Sequence, residues 1–78
     1  MKYYVVKLLT NTQGQDAPSV DVYATIEQAK VTYHNALAAF INADDVLYAV
    51  VMIVNEYGNV EIKEIVDHKP EPEPEPNE

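Results

Sequence analysis

The sequence predicts a small α+β domain with the element order β-β-α-β-β, in which one helix covers one face of a four-stranded antiparallel sheet. Two segments rich in β-branched and aromatic residues precede a single segment with helical periodicity, and two more follow it. Turn-forming residues separate neighbouring segments. With 78 residues and no cysteine, the chain has room for one thin core without disulfide bonds.

The first two segments predict a hairpin. Residues 2–9 form a strand that is apolar on both sides, with Tyr4, Val6 and Leu8 alternating against the odd-numbered positions. Residues 10–18 are rich in Asn, Gln, Gly and Asp and end in proline, which predicts a long loop. Residues 19–24 alternate again and form the second strand.

The helix is predicted over residues 26–42. Thr25 and Gln28 match a capping box, in which the threonine hydroxyl accepts from the Gln28 amide. Apolar residues then recur at steps of three and four, which predicts one stripe that packs on the sheet. This stripe consists of Ile26, Ala29, Tyr33, Ala36, Leu37 and Phe40.

The third strand, residues 46–54, is apolar at every position, and residues 60–66 return as the fourth strand after a turn containing Gly58. The alternation is disturbed at residues 64–66, where we expect a bulge. Because the first and third strands are apolar on both sides, they belong at the centre, which favours the strand order 2-1-3-4. The alternative is the β-grasp-like order 2-1-4-3, which would leave the apolar third strand at an edge.

Residues 1–69 are predicted to form the single domain, and residues 70–78 a disordered tail of alternating proline and glutamate. No internal repeat is evident. The net charge is −8 and no arginine is present, which argues against nucleic acid and anionic membranes as partners. The longest apolar run is shorter than a membrane span and no signal peptide is evident, so we expect a cytoplasmic protein.

One sheet face has no helix to cover it and is predicted to form an apolar interaction surface. If Tyr4, Val6 and Leu8 face the helix, the uncovered residues are Tyr3, Val5, Leu9, Leu47, Ala49, Val51 and Ile53. The simplest cover is a second copy of the chain, so a homodimer is expected, although a different protein could occupy the same surface.

No catalytic, cofactor-binding or metal-binding residues are predicted. His34 and His68 lack neighbours that could orient a catalytic base or complete a metal site, and Asp44 and Asp45 have the pattern of a helix-to-strand turn. With only two glycines, a phosphate-binding loop is excluded. We therefore do not expect an enzyme or a cofactor.

Three segments, residues 15–19, 33–40 and 55–60, together resemble short uncharacterised proteins carried by bacterial phages and prophages. The segments read Gln-Asp-Ala-Pro-Ser, Tyr-His-Asn-Ala-Leu-Ala-Ala-Phe and Asn-Glu-Tyr-Gly-Asn-Val. The resemblance extends over residues 1 to 68 and contains no motif tied to chemistry. It implies a location in the infected host cytoplasm or in a virion, and it transfers no site residues.

The leading functional hypothesis is a non-enzymatic, acidic interaction module that self-associates through the uncovered sheet face. One alternative is a phage inhibitor that mimics nucleic-acid charge and blocks a host protein, since a net charge of −8 permits such mimicry. The other alternative is a minor structural component of the virion.

Overall fold

The computed structural model describes residues 1–68, and it contains the five predicted elements in the predicted order. They are β1 (Tyr3–Asn11), β2 (Ser19–Tyr23), α1 (Ile26–Asn42), β3 (Val46–Asn55) and β4 (Val60–Asp67). The predicted tail, residues 70–78, lies outside the described residues.

The strands form one antiparallel sheet in the order β2-β1-β3-β4. The predicted order 2-1-3-4 is therefore confirmed, and the β-grasp-like alternative is wrong. The physical reason is burial, because the two strands that are apolar on both sides gain most from having a neighbour on each side.

Helix α1 begins and packs as predicted. The Thr25 hydroxyl accepts a hydrogen bond from the Gln28 amide at 3.2 Å and caps the N-terminus. The side chains of the predicted stripe contact the sheet, and Ala29 and Tyr33 are fully buried among Val5, Val51 and Ile53. The remaining stripe residues, Ile26, Ala36, Leu37 and Phe40, pack around this core.

Both hairpins close with the same five-residue turn. The Asn11 amide donates to the Gln15 carbonyl, and the Asn11 carbonyl accepts from the Gly14 amide. Asn55 makes the same two hydrogen bonds with Asn59 and Gly58. In each turn the asparagine Oδ1 also accepts two backbone amides. The first hairpin therefore continues through residues 15–17, and the connection is tighter than the predicted loop.

The pairing of β3 with β4 shifts where Ile53 and Val54 meet Ile62 and Val60, so Glu61 is the extra residue of a bulge. The bulge was expected at residues 64–66. Its observed position lies next to the turn, where the Nδ2 of Asn55 donates to the Glu61 carboxylate at 2.9 Å.

The two hairpins are related by a pseudo-twofold axis perpendicular to the sheet. The axis passes through the pair Lys7 and Val51, because rotation about it exchanges the pair Val6–Met52 with the pair Leu8–Val50. Identical residues occupy equivalent places in the two halves, namely Tyr4 and Tyr48, Val6 and Val50, Asn11 and Asn55, Gly14 and Gly58.

Candidate protein-interaction surface

The sheet face under α1 is the one that the sequence analysis assigned to solvent. Val5, Ala49, Val51 and Ile53 are each 0% exposed and form the core with the helix, so the expectation that they lie on an uncovered face is wrong. Tyr3 and Leu9 are half-buried on the same side and pack against this core.

Leu47 has no direct partner on β1 and therefore belongs to neither row of β3. It lies where the pairing of β1 with β3 shifts between Thr10 and Asn11, and it is half-buried. Its carbonyl oxygen accepts a hydrogen bond from the His68 amide at 2.8 Å, which ties β3 to the end of β4.

The inverted face assignment has a physical reason in the width of the sheet. A helix about 10 Å wide covers roughly two of four strands spaced about 4.8 Å apart. The edge strands on the helix side therefore meet solvent beside the helix, and they carry Asp21 on β2 and Glu64 on β4. These two carboxylates mark the helix-facing side, whereas the two central strands carry no such signal.

The opposite side of the sheet, which we call the open face, is apolar across all four strands. Val20 and Val22 on β2 are 57% and 55% exposed, and Ile65 on β4 is 51% exposed. No described residue packs over this side, since α1 lies on the other. The apolar residues of the open face are Tyr4, Val6, Leu8, Val20, Val22, Tyr48, Val50, Met52, Val54, Val60 and Ile65.

One face of the sheet is thus covered by the helix and the other is not, as predicted, but each face carries the residues that were expected on the other. The third strand offers two apolar rows, and the row Tyr48, Val50, Met52 and Val54 has no helix above it. Among the residues described, the charged side chains in register with the open face are Lys63 and Asp67 on β4 and Asp16, which pairs with Thr10 ahead of β2.

A pocket of about 350 Å³ lies at the turn end of the open face. Its walls include Leu8, Thr10, Asp16, Pro18, Tyr48 and Val50. The Thr10 hydroxyl donates to the Asp16 carboxylate at 2.9 Å, which holds this carboxylate at the rim. The pocket thus combines an apolar floor with one fixed negative charge.

Tyr33, His34 and His68 make their contacts within the fold, away from the pocket. Tyr33 is 1% exposed and its hydroxyl has no hydrogen-bond partner within residues 1–68. Burial, assisted by the charge of Glu64, raises the pKa of this hydroxyl. The His34 ring meets the Tyr33 ring edge-on with centroids 5.1 Å apart, and Nδ1 of His68 lies 3.0 Å from the carbonyl oxygen of Val46.

Within the part of the chain that the structure describes, no three His, Asp or Glu side chains come together in a way that could hold a metal ion. In the same range, α1 is not long and apolar enough to cross a membrane. In comparisons with protein-family models, curated proteins and solved structures, none matches this chain.

Proposed function

We propose that the chain is a non-enzymatic, cytoplasmic protein-interaction module, of the kind that phages and prophages encode, and that it forms a homodimer through the open face. The observation that supports this function is the apolar composition of the open face across all four strands, including both edges. A monomeric antiparallel sheet normally places polar residues on the side without a helix.

The size of the open face suits a dimer of moderate affinity. Three strands of about 25 Å and the five-residue β2 of about 17 Å, spaced about 4.8 Å apart, give a face of about 450 Å² in projection. Because corrugated side chains expose more area than their projection, two such faces bury on the order of 1,000 Å² or more, the lower range of specific interfaces. At about 25 cal/mol per Å² this burial exceeds the lower estimates of association entropy.

The sheet edges are less suited to self-association than the face. The outer strand β4 carries charged residues at Glu61, Lys63 and Glu64 and a bulge at its start, and both features discourage pairing with another strand. The other edge strand, β2, has only five residues and follows Pro18. A second copy that stacks on the face avoids both obstacles.

Sedimentation equilibrium of the full chain tests the proposal. We expect a monomer–dimer equilibrium with a Kd between about 1 and about 100 µM, because an interface at the lower end of the size range for specific complexes associates weakly. Val22→Asp places a charge on the open face and should weaken dimerisation at least tenfold.

The matched control is Val31→Asp on the outer side of α1, where the valine is 61% exposed against 55% for Val22. This variant makes the same chemical change at a similar exposure, so it should dimerise like the wild type. A wild-type chain that stays monomeric over the whole range, or equal effects of the two substitutions, would overturn the proposal.

A further inference from the structure

We propose that Lys63 of each copy inserts into the pocket of the other copy and pairs with its Asp16, so that two equivalent ion pairs fix how the two open faces stack. This inference rests on the proposed homodimer and adds its geometry. It makes the pocket a composite site that only a second copy completes.

Lys63 is the residue that most needs a partner when the open face is buried. It is in register with Met52 and so projects on the open-face side of β4. Among the described residues it makes no ion pair, whereas Lys7 on the helix side is paired with Asp21 at 2.9 Å. An ammonium group that a second copy covers must be paired or must reach water.

Asp16 is a carboxylate prepared to receive such a group. Its Oδ1 accepts the Thr10 hydroxyl at 2.9 Å, which fixes its orientation, while the pocket beside it is lined with the apolar groups that a lysine stem contacts. Tyr48 in the same wall offers an aromatic side chain to the cation. Asp67, the other carboxylate in register with the open face, already makes an interaction of its own.

The positions of the two groups fit a symmetric dimer. Measured from the pair Lys7–Val51 at the centre of the face, strand spacing and rise place Lys63 about 8 Å away and the pocket centre about 7 Å away. Because these distances are nearly equal, a twofold axis through the centre of the interface brings Lys63 of one copy over the pocket of the other.

The same geometry fixes the crossing angle of the sheets. The axis that exchanges Lys63 with the pocket runs at about 48° to the strands, so strands of the two copies cross at roughly 95°. This angle belongs to the orthogonal class of sheet packing. An aligned stack would leave both Lys63 side chains outside the pockets.

Charge reversal in the full chain tests the pairing by sedimentation equilibrium. Asp16→Lys and Lys63→Asp should each weaken the wild-type dimer about tenfold or more, because each places like charges together at both sites. The double variant restores opposite charges in reversed order and should return to within about threefold of the wild type. The controls Asp44→Lys and Lys30→Asp make the same charge changes at exposed positions away from the open face and should dimerise normally.

A cross-linking measurement avoids dependence on variants that fold poorly. Strand spacing puts the Cα atoms of Lys63 and Asp16 of one chain about 20 Å apart, which is too far for a direct amide bond between their side chains. Carbodiimide treatment of wild-type dimers should therefore join Lys63 to Asp16 only between chains, which mixed isotope labelling identifies by mass spectrometry.

The outcomes separate the two proposals. If the wild type dimerises but the double variant shows the combined loss of the two single variants, and no Lys63–Asp16 cross-link forms, the pairing is wrong while the dimer stands. If the wild type is monomeric, both proposals fail. Rescue by the double variant together with the cross-link between chains is the expected result.

Discussion

Lys7 on β1 lies directly opposite Val51 on β3, and the pseudo-twofold axis of the two hairpins passes between them. The axis makes these residues equivalent in position, yet Val51 is 0% exposed beneath α1 while Lys7 extends to Asp21 on β2. The helix therefore breaks the symmetry of the sheet on its own side. On the open face Tyr4 and Tyr48 occupy equivalent positions, as do Val6 and Val50, but the charged residues Lys63 and Asp67 lie on β4 and have no charged equivalents on β2.

Truncation of adjacent valines on β3 should separate folding from association. Val51→Ala removes two methyl groups from the core and should lower the free energy of unfolding by about 2 to 3 kcal/mol, because a cavity remains under the helix. Val50→Ala should lower it by less than about 1 kcal/mol in the monomer, since the open face is not packed. Urea unfolding at concentrations below the dimer range measures both.

The effects of the two substitutions on dimer affinity should have the opposite order. Val50→Ala should weaken the dimer several-fold at sedimentation equilibrium, whereas folded Val51→Ala should associate as the wild type does. Equal losses of unfolding free energy at positions 50 and 51 would contradict the observed assignment of the faces.

The equivalent asparagines of the two turns offer a second comparison. We expect Asn55→Ala to lower the free energy of unfolding by about 2 to 3 kcal/mol and Asn11→Ala by about 1 kcal/mol. Both side chains accept two backbone amides, but Asn55 is 9% exposed and its Nδ2 donates to the Glu61 carboxylate beside the bulge. The Nδ2 of Asn11 donates to the neutral side chain of Gln15. Hydrogen bonds to charged groups contribute more than neutral ones.

Chemical denaturation of the two alanine variants measures this difference. Asn55→Asp is a useful third variant, because it keeps the Oδ1 acceptor but sets a second carboxylate against Glu61. It should be less stable than Asn55→Ala at pH 7, because two like charges then meet beside the turn. A larger loss at Asn11 than at Asn55 would show that the turn alone, and not the hydrogen bond from Asn55 to Glu61, sets the stability.

The elements of this fold could be predicted because their signals are local. Thr25 and Gln28 define the helix start, Gly58 has a φ of 87° that suits the turn it occupies, and β3 is apolar at every position. Strand order followed from one non-local argument, the burial of strands that are apolar on both sides.

The identity of the uncovered face could not be read from the central strands, because Val50 and Val51 are equally apolar. The information lies in the edge strands, where Asp21 and Glu64 flank the helix while Val22 and Ile65 point away from it. If the helix is assumed to cover the whole sheet, the alternation on β2 suggests that Val20 and Val22 face the helix, which is the reverse of the observed arrangement. The pocket at Asp16 was missed as well, since it depends on the tight turn at Asn11, which brings residues 15–17 alongside β1.

Tyr33 gives a prediction that depends on pH. Tyr33→Phe should leave the free energy of unfolding at pH 7 unchanged or raise it by up to about 1 kcal/mol, because the buried hydroxyl has no partner among the described residues. Burial, with a smaller effect of Glu64, raises its pKa above the ordinary value of 10.0 that the unfolded chain keeps. The unfolded state therefore releases this proton first, so this contribution to stability is constant below about pH 10 and decreases as the pH rises further.

Without the hydroxyl, the free energy of unfolding should accordingly decrease less as the pH rises above about 10. Urea unfolding of the wild type and Tyr33→Phe between pH 7 and about pH 11 measures the difference. Tyr57→Phe is the control, because Tyr57 is 71% exposed and its removal should leave the alkaline slope unchanged. A marked loss of stability in Tyr33→Phe at pH 7 would mean that the hydroxyl is hydrogen-bonded, which would contradict its isolation between α1 and the sheet.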